Sequence, residues 1–501
     1  MRFFYSLMWW LALPLVLVRL WLRGRQEPGY RQHWGERLGF YGRRPRSGSA
    51  AANASDYAAQ VLWVHAVSVG ETRAAEPLVD ALLASYPGSR VVLTHMTPTG
   101  RATGRQLFAK HGERLVQAYL PYDTGLMVGA FLRHFQPALC ILMETEVWPN
   151  LIAVCGRRGV PVVLANARLS ERSLRKAQRL GRLMREAAQG IALVAAQTAA
   201  DAERVRALGV PRVEVTGSIK FDVVVPPAAL ATGAALRAAI DGGAGAAGVD
   251  ANANANANAG AGTGAAAGAG RPVLLCASTR EGEEALILDA YRQAVAHGAM
   301  PPKTLLLLVP RHPQRFDEVE KLVGAHGLNT VRRSRLSLAG AGPTADFSAA
   351  PAAVPGANAQ SAAAVAGVAA TPAVVPAYVD VLLGDTMGEM FAYYAACDVA
   401  FVGGSLLPLG GQNLIEPAAL GKPVLIGPHT FNFALVTEDA LAAGGAVRVA
   451  DAAALMAAAA RLLGDAGART AMGASAQAFA DQHRGATRRT LALLPSLLQG
   501  R

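Results

Sequence analysis

The most informative residues of this chain are Trp63 to Glu71, where an apolar run ends at Gly70 and a carboxylate follows. The run predicts a buried strand, and Glu71 would lie at the start of the next helix. Open α/β sheets bind ligands at the carboxyl ends of their strands, so Glu71 could serve there as a general base. The partial positive charge of a helix N-terminus would favour its ionised form. The alternative is a structural role, in which Glu71 only interacts with the helix dipole.

A second group of carboxylates, Glu144 and Glu146, follows another apolar run, and Pro149 then marks the predicted start of a helix. Two carboxylates directly after a buried strand are costly unless they are paired or functional. Lys220 follows a later strand-like run and the pair Gly217-Ser218. It is either a surface lysine or an anion-binding cation.

Four polar or glycine-containing segments in the second half of the chain fall where strands should end: 310–313, 384–390, 403–405 and 410–417. Arg311 ends an apolar run, and its guanidinium presents a planar fork of donors that suits phosphate. The glycine segments are expected to expose backbone N–H groups near helix starts, where they could cradle phosphate. Asn413 and Glu416 are predicted on one helix face, suited to a ribose diol and a phosphate. None of these strings has the GxGxxG pattern of a dehydrogenase.

The elements that must carry these residues alternate between strand-like runs and helix-length segments with apolar faces. Strands are predicted at 61–67, 90–96, 115–120, 138–143, 160–165, 191–197, 213–216, 273–277, 304–309, 379–383, 399–402, 423–426 and 446–449. This alternation indicates an α/β fold of two Rossmann-like, doubly wound domains with helices on both faces of each sheet. A cleft between two such domains is the expected ligand site.

The predicted organisation is an N-terminal anchor at 1–24, a first Rossmann-like domain at 25–225, a linker at 226–270 and a second Rossmann-like domain at 271–490. Two low-complexity segments, 241–270 and 337–376, are rich in alanine and glycine. They have too few large apolar side chains to form a core. We therefore predict solvated insertions that do not contact the site.

The chain has 501 residues, too many for one ordinary core, and a formal net charge of +12. Residues 1–46 hold nine arginines and two glutamates, so much of the positive charge lies near the N-terminus. No basic motif interleaved with aromatic residues follows, so nucleic-acid binding is not expected. The four cysteines are scattered, and there is no DxD, HExxH or paired Cys/His pattern. We expect reduced core cysteines, no metal and no cofactor.

An apolar run from Phe3 to Val18 lies between Arg2 and Arg19. As a helix of ~24 Å it is shorter than the ~30 Å hydrocarbon core unless residues up to Leu22 take part. No cleavage site of small residues follows, so a removed signal peptide is not expected. Tryptophans suit a membrane interface, and the arginines that follow indicate the cytoplasmic side. We expect an anchor that either spans or only enters a membrane, with attraction to anionic lipid.

A predicted helix after Arg168 carries basic residues at helical spacing: Arg172, Arg175, Lys176, Arg179 and Arg182. One interpretation is a solvated helix face. The other, beside a membrane anchor, is a surface that holds lipid or substrate phosphates.

Nine segments in order, from the N-terminal region to the last fifth of the chain, together resemble the 3-deoxy-D-manno-octulosonic acid (Kdo) transferases of lipopolysaccharide synthesis: WVHAVSVGE, THMTPTG, METEVWPN, NARLSERS, TGSIKFD, PRHPQRF, GDTMGEM, FVGGS and GGQNLIEP. No single segment decides the resemblance, but nine in series argue against chance. The resemblance implies a glycosyltransferase B fold with an N-terminal acceptor domain and a C-terminal donor domain. This chain departs from the family pattern mainly in its two insertions.

The resemblance also implies the chemistry. The donor would be CMP-Kdo and the acceptor the tetraacylated, bisphosphorylated lipid A precursor (lipid IVA), joined with inversion and without metal. Glu71 would be the general base, Glu144 would help to stabilise the transition state, and Lys220 would be the cation near the departing phosphate. The residues implied to bind CMP are Pro310, Arg311, Met387, Gly388, Glu389, Asn413, Leu414, Ile415 and Glu416. Candidates to meet the acceptor phosphates are Arg168, Arg172 and Arg175.

On this interpretation the enzyme acts at the cytoplasmic face of the inner membrane, where its anchor holds it beside the lipid acceptor. Two alternatives remain. One is another nucleotide-sugar enzyme of the same fold, such as an epimerase, although soluble epimerases need no anchor. The other is a catalytically inactive membrane scaffold, which should have lost Glu71, Glu144 or Lys220, and all three are present.

Overall fold

The computed structural model describes residues 1–25, 27–42, 60–242, 270–338 and 374–498. The chain divides into two compact units, Met1–Val223 with His483–Arg501, and Val224–Gln482. The predicted second domain, 271–490, runs past Gln482, so its last residues group with the first unit. The predicted insertions at 241–270 and 337–376 lie outside the described residues except at their ends.

The first unit is built on a seven-stranded parallel sheet in the order β3-β2-β1-β4-β5-β6-β7. Its strands are β1 (Val61–His65), β2 (Arg90–His95), β3 (Leu115–Tyr119), β4 (Leu139–Met143), β5 (Val162–Ala167), β6 (Leu193–Ala196) and β7 (Val213–Val215). Its helices up to residue 206 are α1 (Arg2–Arg23), α2 (Trp34–Arg37), α3 (Val69–Ala74), α4 (Glu76–Ser85), α5 (Pro98–Leu107), α6 (Gly125–Phe135), α7 (Pro149–Arg157), α8 (Glu171–Arg179), α9 (Arg182–Gln189) and α10 (Ala199–Arg206).

The second unit has a second seven-stranded parallel sheet, in the order β10-β11-β9-β8-β12-β13-β14. Its strands are β8 (Val273–Thr279), β9 (Leu305–Pro310), β10 (Thr330–Arg332), β11 (Val381–Leu383), β12 (Val399–Val402), β13 (Val424–Ile426) and β14 (Ala446–Arg448). Its helices are α11 (Pro227–Ile240), α12 (Glu283–Ala296), α13 (Phe316–Ala325), α14 (Met390–Ala396), α15 (Ile415–Ala419), α16 (Ala434–Ala442), α17 (Ala452–Gly464) and α18 (Ala466–Gln482). The last helices, α19 (Ala486–Ala492) and α20 (Pro495–Leu498), return to the first unit.

Each sheet is covered on both faces, which explains why its strands read as continuous apolar runs. In β1, Leu62 and Val64 pack into one apolar layer and Trp63 packs into the other. The four cysteines are buried and unpaired, as predicted. The predicted α/β class with two doubly wound sheets is confirmed, and every predicted strand is present. The structure adds the edge strand β10, whose three residues are too few to give a periodic signal.

Both sheets reverse their strand order at one point, between β1 and β4 in the first unit and between β8 and β12 in the second. Ligands of open parallel sheets bind beyond the carboxyl ends of the strands at such a switch point. Glu71 and Glu144 follow the two strands of the first switch point. Arg280 and Gly403 follow the two strands of the second.

The chain closes the first unit with its C-terminal segment. Asp222 accepts backbone N–H groups from Gly485 and Thr487, and the Phe221 ring stacks on His483 with centroids 4.8 Å apart. The carboxylate therefore caps the start of α19 next to the turn that carries Lys220.

We expect Asp222→Ala to lower the free energy of unfolding of the first unit by about 1–3 kcal/mol, because two backbone donors lose a charged acceptor. All six tryptophans lie at or before Trp148, so tryptophan fluorescence during urea unfolding reports this unit. Asp439→Ala, an exposed change on α16 of the second unit, is the matched control and should leave the fluorescence transition in place. Equal transitions for both variants would contradict the capping role.

Candidate active site

Glu71 lies in the first turn of α3, directly after the loop that leaves β1. Ser68 caps this helix, because its hydroxyl accepts the Glu71 N–H at 3.5 Å. The Glu71 carboxylate turns back toward the loop, where Oε2 accepts the Val67 N–H at 2.8 Å and Oε1 lies 3.4 Å from the Ser68 hydroxyl. This arrangement is a variant of the capping box. It supports the alternative in which Glu71 has a structural role at the start of the helix.

The same carboxylate has a shifted protonation equilibrium. Burial raises the pKa of Glu71 to about 7, the Val67 N–H opposes the rise, and the charges of Glu146 and Glu144 add to it. The net shift is opposite in direction to the one expected from the helix N-terminus, because desolvation is its largest cause. A carboxylate with a pKa near 7 is matched to proton abstraction at neutral pH. Glu71 therefore combines a capping position with the acidity of a general base.

Two buried histidines and one glycine support the Glu71 loop. His65 and His95 end β1 and β2, and burial lowers their pKa values to about 3 and about 4, so both are neutral. His95 Nδ1 lies 3.3 Å from the hydroxyl of Thr72, the residue after Glu71. Gly100 lets α5 approach the loop closely, since a Cβ there would lie 3.2 Å from the Ser68 carbonyl carbon. Hydrogen bonds and the close approach of α5 therefore hold the loop.

Glu144 and Lys220, predicted as separate site residues, form an ion pair with Nζ 2.9 Å from Oε1. Glu144 has a left-handed φ of 57°, which costs about 1–3 kcal/mol outside glycine. Its N–H donates to the Ala165 carbonyl of β5 at 2.9 Å and so holds this conformation. The Glu144 and Lys220 side chains are 22% and 31% exposed, so a ligand can reach the pair.

Glu146, the second carboxylate of this loop, accepts the Trp148 indole N–H at 2.8 Å. Burial raises the pKa of Glu146, the Trp148 N–H opposes the rise, and Glu144 adds to it. The Trp148 ring lies edge-on to His65 with centroids 6.3 Å apart, which connects this loop to β1. The carboxylates after β1 and β4 are thus electrostatically coupled.

Asn166 was not predicted as a site residue, yet it positions Lys220. It is buried in β5 with a φ of 55°, and its Oδ1 accepts the Ile219 N–H at 3.1 Å. Ile219 and Phe221 flank the lysine in a 3-10 turn and are both buried. The turn is therefore fixed on both sides of the ammonium. Asparagine tolerates a left-handed backbone conformation better than most residues. An asparagine at the end of an apolar strand was therefore the sequence signal that could have identified Asn166.

The basic residues predicted on one helix lie on two. α8 ends at Arg179, Gly181 has a φ of 54°, and Arg182 begins α9. Arg182 pairs with Glu186 at 2.7 Å. The predicted continuous stripe is therefore wrong, because the glycine redirects the chain.

The three candidate acceptor-binding arginines occupy different positions. Arg172 and Arg175 are exposed on α8, where Arg175 lies 3.7 Å from Glu171. Arg168 precedes α8 and lines a small, mostly apolar cavity together with Glu144. Of the three arginines, Arg168 is the one that shares this cavity with Glu144 of the ion pair.

In the second unit, the Gly403–Ser405 segment does not offer the N–H groups that were expected to cradle phosphate. The Gly403 N–H donates to a β8 carbonyl at 2.8 Å. The Gly404 and Leu406 N–H groups donate to the buried Glu283 carboxylate at 2.6 and 2.9 Å. These donors are already satisfied, so the expectation for this segment is wrong.

The loop predicted to bind CMP around Met387, Gly388 and Glu389 is exposed at its first two residues. The Glu389 carboxylate is engaged, because Oε1 accepts from buried Arg333 at 3.0 Å and Oε2 accepts the Thr386 hydroxyl at 2.6 Å. Glu389 thus fixes the loop, whose exposed backbone faces solvent. Arg333 was not predicted, since it follows the short edge strand β10.

Asn413 and Glu416 are close together but do not share a helix face. α15 begins at Ile415, so Asn413 precedes the helix, and the predicted helix face is wrong. The Asn413 Nδ2 donates to Glu416 Oε1 at 3.0 Å, and its Oδ1 accepts the Ile415 N–H at 3.1 Å. Leu414 and Ile415 are fully buried, so the structure does not expose these two predicted CMP-binding residues to a ligand.

Pro310 ends β9, and the Arg311 N–H donates at 2.9 Å to the Thr279 carbonyl at the end of β8. Burial raises the pKa of Tyr394, Glu416 adds to the rise, and Arg311 opposes it. The charges of Arg311 and Glu416 therefore both act on this buried hydroxyl.

Arg280 was not singled out from the sequence, although it directly follows the switch-point strand β8. A side chain at Gly404 would lie 3.5 Å from Arg280 Cγ and 3.1 Å from Gln412 Nε2, so the arginine stem packs on the glycine segment. Burial lowers the pKa of His312, and the charges of Arg280 and Arg311 lower it further. The two arginines thus form a positive region at the carboxyl ends of β8 and β9.

The two parallel sheets, with polar loops at their switch points, define a two-domain α/β enzyme of glycosyltransferase-B-like fold. The crystal structure of UDP-GlcNAc 2-epimerase from Neisseria meningitidis bound to UDP-GlcNAc has this fold. It is 13% identical to this chain, with a TM-score of 0.51 over 87% of this chain and 100% of that one. This likeness shows the fold alone.

The chain belongs to the 3-deoxy-D-manno-octulosonic acid (Kdo) transferases, the glycosyltransferase family of lipopolysaccharide biosynthesis that its motifs resemble. A family model described as 3-Deoxy-D-manno-octulosonic-acid transferase (kdotransferase) matches residues 32–223. The transferase of Bordetella pertussis is 43% identical over 97% of this chain and 96% of its own length. That of Haemophilus influenzae is 34% identical over 99% of both. The C-terminal CMP-Kdo binding domain of WaaA from Acinetobacter baumannii is 30% identical over 42% of this chain and 89% of that one, with a TM-score of 0.33.

The raised pKa of Glu71 predicts a stability cost that depends on pH. Ionising this carboxylate in the folded state is penalised as the pH rises from its ordinary pKa of 4.5 through about 7, whereas below that window both states are protonated. Glu71→Gln resembles the protonated form and keeps an oxygen for the Val67 N–H. We therefore expect the variant to unfold at higher urea than the parent at pH 8, and at the same urea at pH 4.5. Tryptophan fluorescence measures both, and a gain that does not depend on pH would contradict the assignment.

Proposed function

We propose that this enzyme transfers Kdo from CMP-Kdo to the lipid A precursor lipid IVA, with inversion and without a metal ion. The observation that carries the proposal is Glu71, a carboxylate with a pKa near 7 that is coupled to the Glu144–Lys220 ion pair. Family membership supports the sugar and the pathway. The acceptor, the stereochemistry and the metal independence are our inference.

In the proposed reaction the Glu71 carboxylate takes the proton of an acceptor hydroxyl. The hydroxyl oxygen forms a bond to the anomeric carbon of Kdo while the bond from that carbon to the phosphate oxygen breaks. The bonding electrons leave with CMP. A single displacement of this kind needs one base and inverts the anomeric carbon.

The departing phosphate gains negative charge, and cations must stabilise it. Lys220 supplies one, with its ammonium oriented by Glu144 at 2.9 Å and its turn held by Asn166. Among the described residues, no three His, Cys, Asp or Glu side chains are grouped to hold a metal ion. We assign the electrostatic role to fixed side chains instead.

The donor is proposed to bind the second unit at Pro310, Arg311, the loop 387–389 and residues 413–416. CMP-Kdo carries a phosphodiester and a sugar carboxylate, so it presents two negative charges. Arg311 and Arg280 offer two guanidinium groups at adjacent strand ends, which matches that charge. We assign Arg280 to this donor site.

The acceptor is proposed to bind the first unit, with its phosphates near Arg168, Arg172 and Arg175. A lipid acceptor stays in the membrane, so the enzyme must work at its surface. The apolar helix α1 is long enough to anchor the chain, and we place the enzyme at the cytoplasmic face of the inner membrane. Anionic lipid there would attract the N-terminal arginines.

We expect Glu71→Gln to reduce kcat by roughly 10²–10⁴-fold, because the base is lost while the capping interactions are kept. The kcat/KM of the parent enzyme should rise as the pH rises through about 7, because the base ionises in this window. The kcat/KM of the variant should not show this rise. Membranes that contain the enzyme are incubated with CMP-Kdo and lipid IVA in the presence of EDTA, and the sugars added are counted by mass spectrometry.

Glu76→Gln is the matched control, because this glutamate begins the next helix, α4, and pairs at the surface with Lys110. It should leave the transfer unchanged. Undiminished transfer by Glu71→Gln would overturn the role of the base, and loss of transfer in EDTA would overturn metal independence. A product with retained anomeric configuration by NMR would overturn the single displacement.

We expect Arg280→Gln to raise KM for CMP-Kdo by about 10–100-fold, the effect of one lost charged hydrogen bond, and to leave KM for lipid IVA unchanged. Arg292→Gln on the exposed face of α12 is the control of equal charge change. Unchanged donor KM in Arg280→Gln would remove this residue from the donor site.

A further inference from the structure

The helix α1 is apolar enough to cross a membrane by length and composition, but its burial pattern points to another arrangement. One stripe of half-buried positions recurs at helical spacing along the whole helix: Tyr5, Ser6, Trp9, Ala12, Leu13, Val16, Leu17 and Leu20. None of these residues is fully buried, but the stripe is less exposed than the rest of α1, so this face of the helix lies toward the first unit.

The N-terminal end of α1 contacts the first unit through specific polar and aromatic groups. The Ser6 hydroxyl and the Asn150 side chain exchange hydrogen bonds of 3.0 and 3.2 Å at the start of α7. The Trp9 and Tyr122 rings lie 5.7 Å apart. These contacts join the N-terminal end of the helix to the folded unit.

The C-terminal end of α1 contacts the same unit. Arg31 donates to the Trp21 carbonyl at 3.3 Å, and the Arg23 guanidinium lies 4.4 Å from the centre of the buried Tyr30 ring. Gly29, in the same turn, packs on Pro98 of α5, where a Cβ would lie within 2.7 Å. This turn is therefore part of the first unit.

A spanning helix must place its two ends on opposite sides of a hydrocarbon core of about 30 Å. The 22 residues of α1 extend about 33 Å, and both ends contact the first unit. A helix whose two ends contact the same unit cannot also place these ends on opposite sides of the membrane. The geometry therefore points to a helix that lies in the plane of the membrane.

The opposite face of α1 suits a lipid surface. It exposes large apolar side chains along its length: Phe3, Phe4, Leu7, Met8, Trp10, Leu11, Leu15, Val18, Trp21 and Leu22. Arg19, Arg23 and Arg25 are exposed at its end, where they can meet anionic headgroups. An apolar face bordered by arginine and tryptophan matches the interfacial region of an anionic bilayer.

We propose that α1 is an in-plane anchor: it stays docked along the first unit, inserts only its exposed face into an anionic bilayer, and keeps the N-terminus on the side of the membrane that holds this unit. This inference concerns anchoring and does not rest on the transfer reaction. The membrane topology and the transferase activity are measured separately, so either prediction can be contradicted without the other.

The test is the side of the membrane from which a cysteine at position 2 can be labelled. The four native cysteines are buried, so an added cysteine is the preferred target of a membrane-impermeant maleimide. Arg2→Cys is compared with Ser85→Cys, an exposed control at the end of α4. The positive charge of Arg2 would oppose translocation of the N-terminus across the membrane. The Arg2→Cys variant lacks this charge, so it would cross more readily, and the experiment is therefore a strict test of the proposal.

We expect both cysteines to be protected in intact spheroplasts and labelled in inside-out vesicles. Labelling of Arg2→Cys alone in spheroplasts would show a spanning helix and overturn the proposal. Oxidative crosslinking of Ser6→Cys with Asn150→Cys in inside-out vesicles tests the docked contact, and Leu11→Cys with Asn150→Cys is its control on the exposed face. Crosslinks within one chain for the first pair alone support docking, and their absence would contradict it.

The occupant of the exposed face is tested with vesicles. Leu11→Asp should release the protein from vesicles that contain anionic lipid, whereas Leu126→Asp, at an equally exposed leucine outside α1, should not. Both leucines are 71% exposed, so the control matches the change in surface chemistry. Equal release by both variants, or retention of Leu11→Asp, would overturn the lipid assignment. Intermolecular crosslinks through Leu11→Cys in place of lipid binding would assign the face to a second copy.

Discussion

The proposed chemistry depends on holding one carboxylate, Glu71, partly out of water without giving it a full set of partners. The Val67 N–H and the Ser68 hydroxyl satisfy some of its hydrogen-bonding capacity and set its orientation. Desolvation and the nearby carboxylates oppose its ionisation. The packing of β1, α3 and α5 supplies the free energy that keeps this arrangement in place.

The second unit contains a carboxylate, Glu283, in a position that corresponds to that of Glu71, but its surroundings differ. Glu283 also follows the switch-point strand of its sheet and begins a helix, α12. It accepts N–H groups from Arg280, Gly404 and Leu406 and is fully buried. Both of its oxygens accept backbone donors and no part of Glu283 is exposed, so this carboxylate fixes a loop. The corresponding carboxylate of the first unit, Glu71, is partly exposed, and there we propose the role of a base.

Sequence periodicity was sufficient for the two sheets, because buried parallel strands are continuous apolar runs and neither long insertion interrupts one. It was also sufficient for Glu71, Glu144 and Lys220 as candidates, since each follows a strand. It could not show that Glu144 and Lys220 form a pair, because their contact joins loops 76 residues apart in a chain whose sheet order is not sequential. Asn166 and Arg333 were missed for a related reason, because each acts through a long-range contact. Arg280 directly follows a strand, as the predicted candidates do, so its position was a signal that the sequence offered.

The helix α1 shows what apolarity alone leaves undetermined. Its length and composition would allow it to enter lipid, and the hydrogen bonds at Ser6 hold its N-terminal end against the first unit. Asn150, its partner, is held by Asp123, whose carboxylate accepts the Asn150 and Leu151 N–H groups at 3.0 and 2.7 Å. This junction lies two residues after Trp148, which binds Glu146 in the carboxylate loop. A helix inserted in the membrane plane would thus be joined to the loop that carries Glu144 through a short, rigid set of buried contacts. Membrane binding would then set the orientation of the first unit toward a lipid acceptor, which a flexible tether could not do.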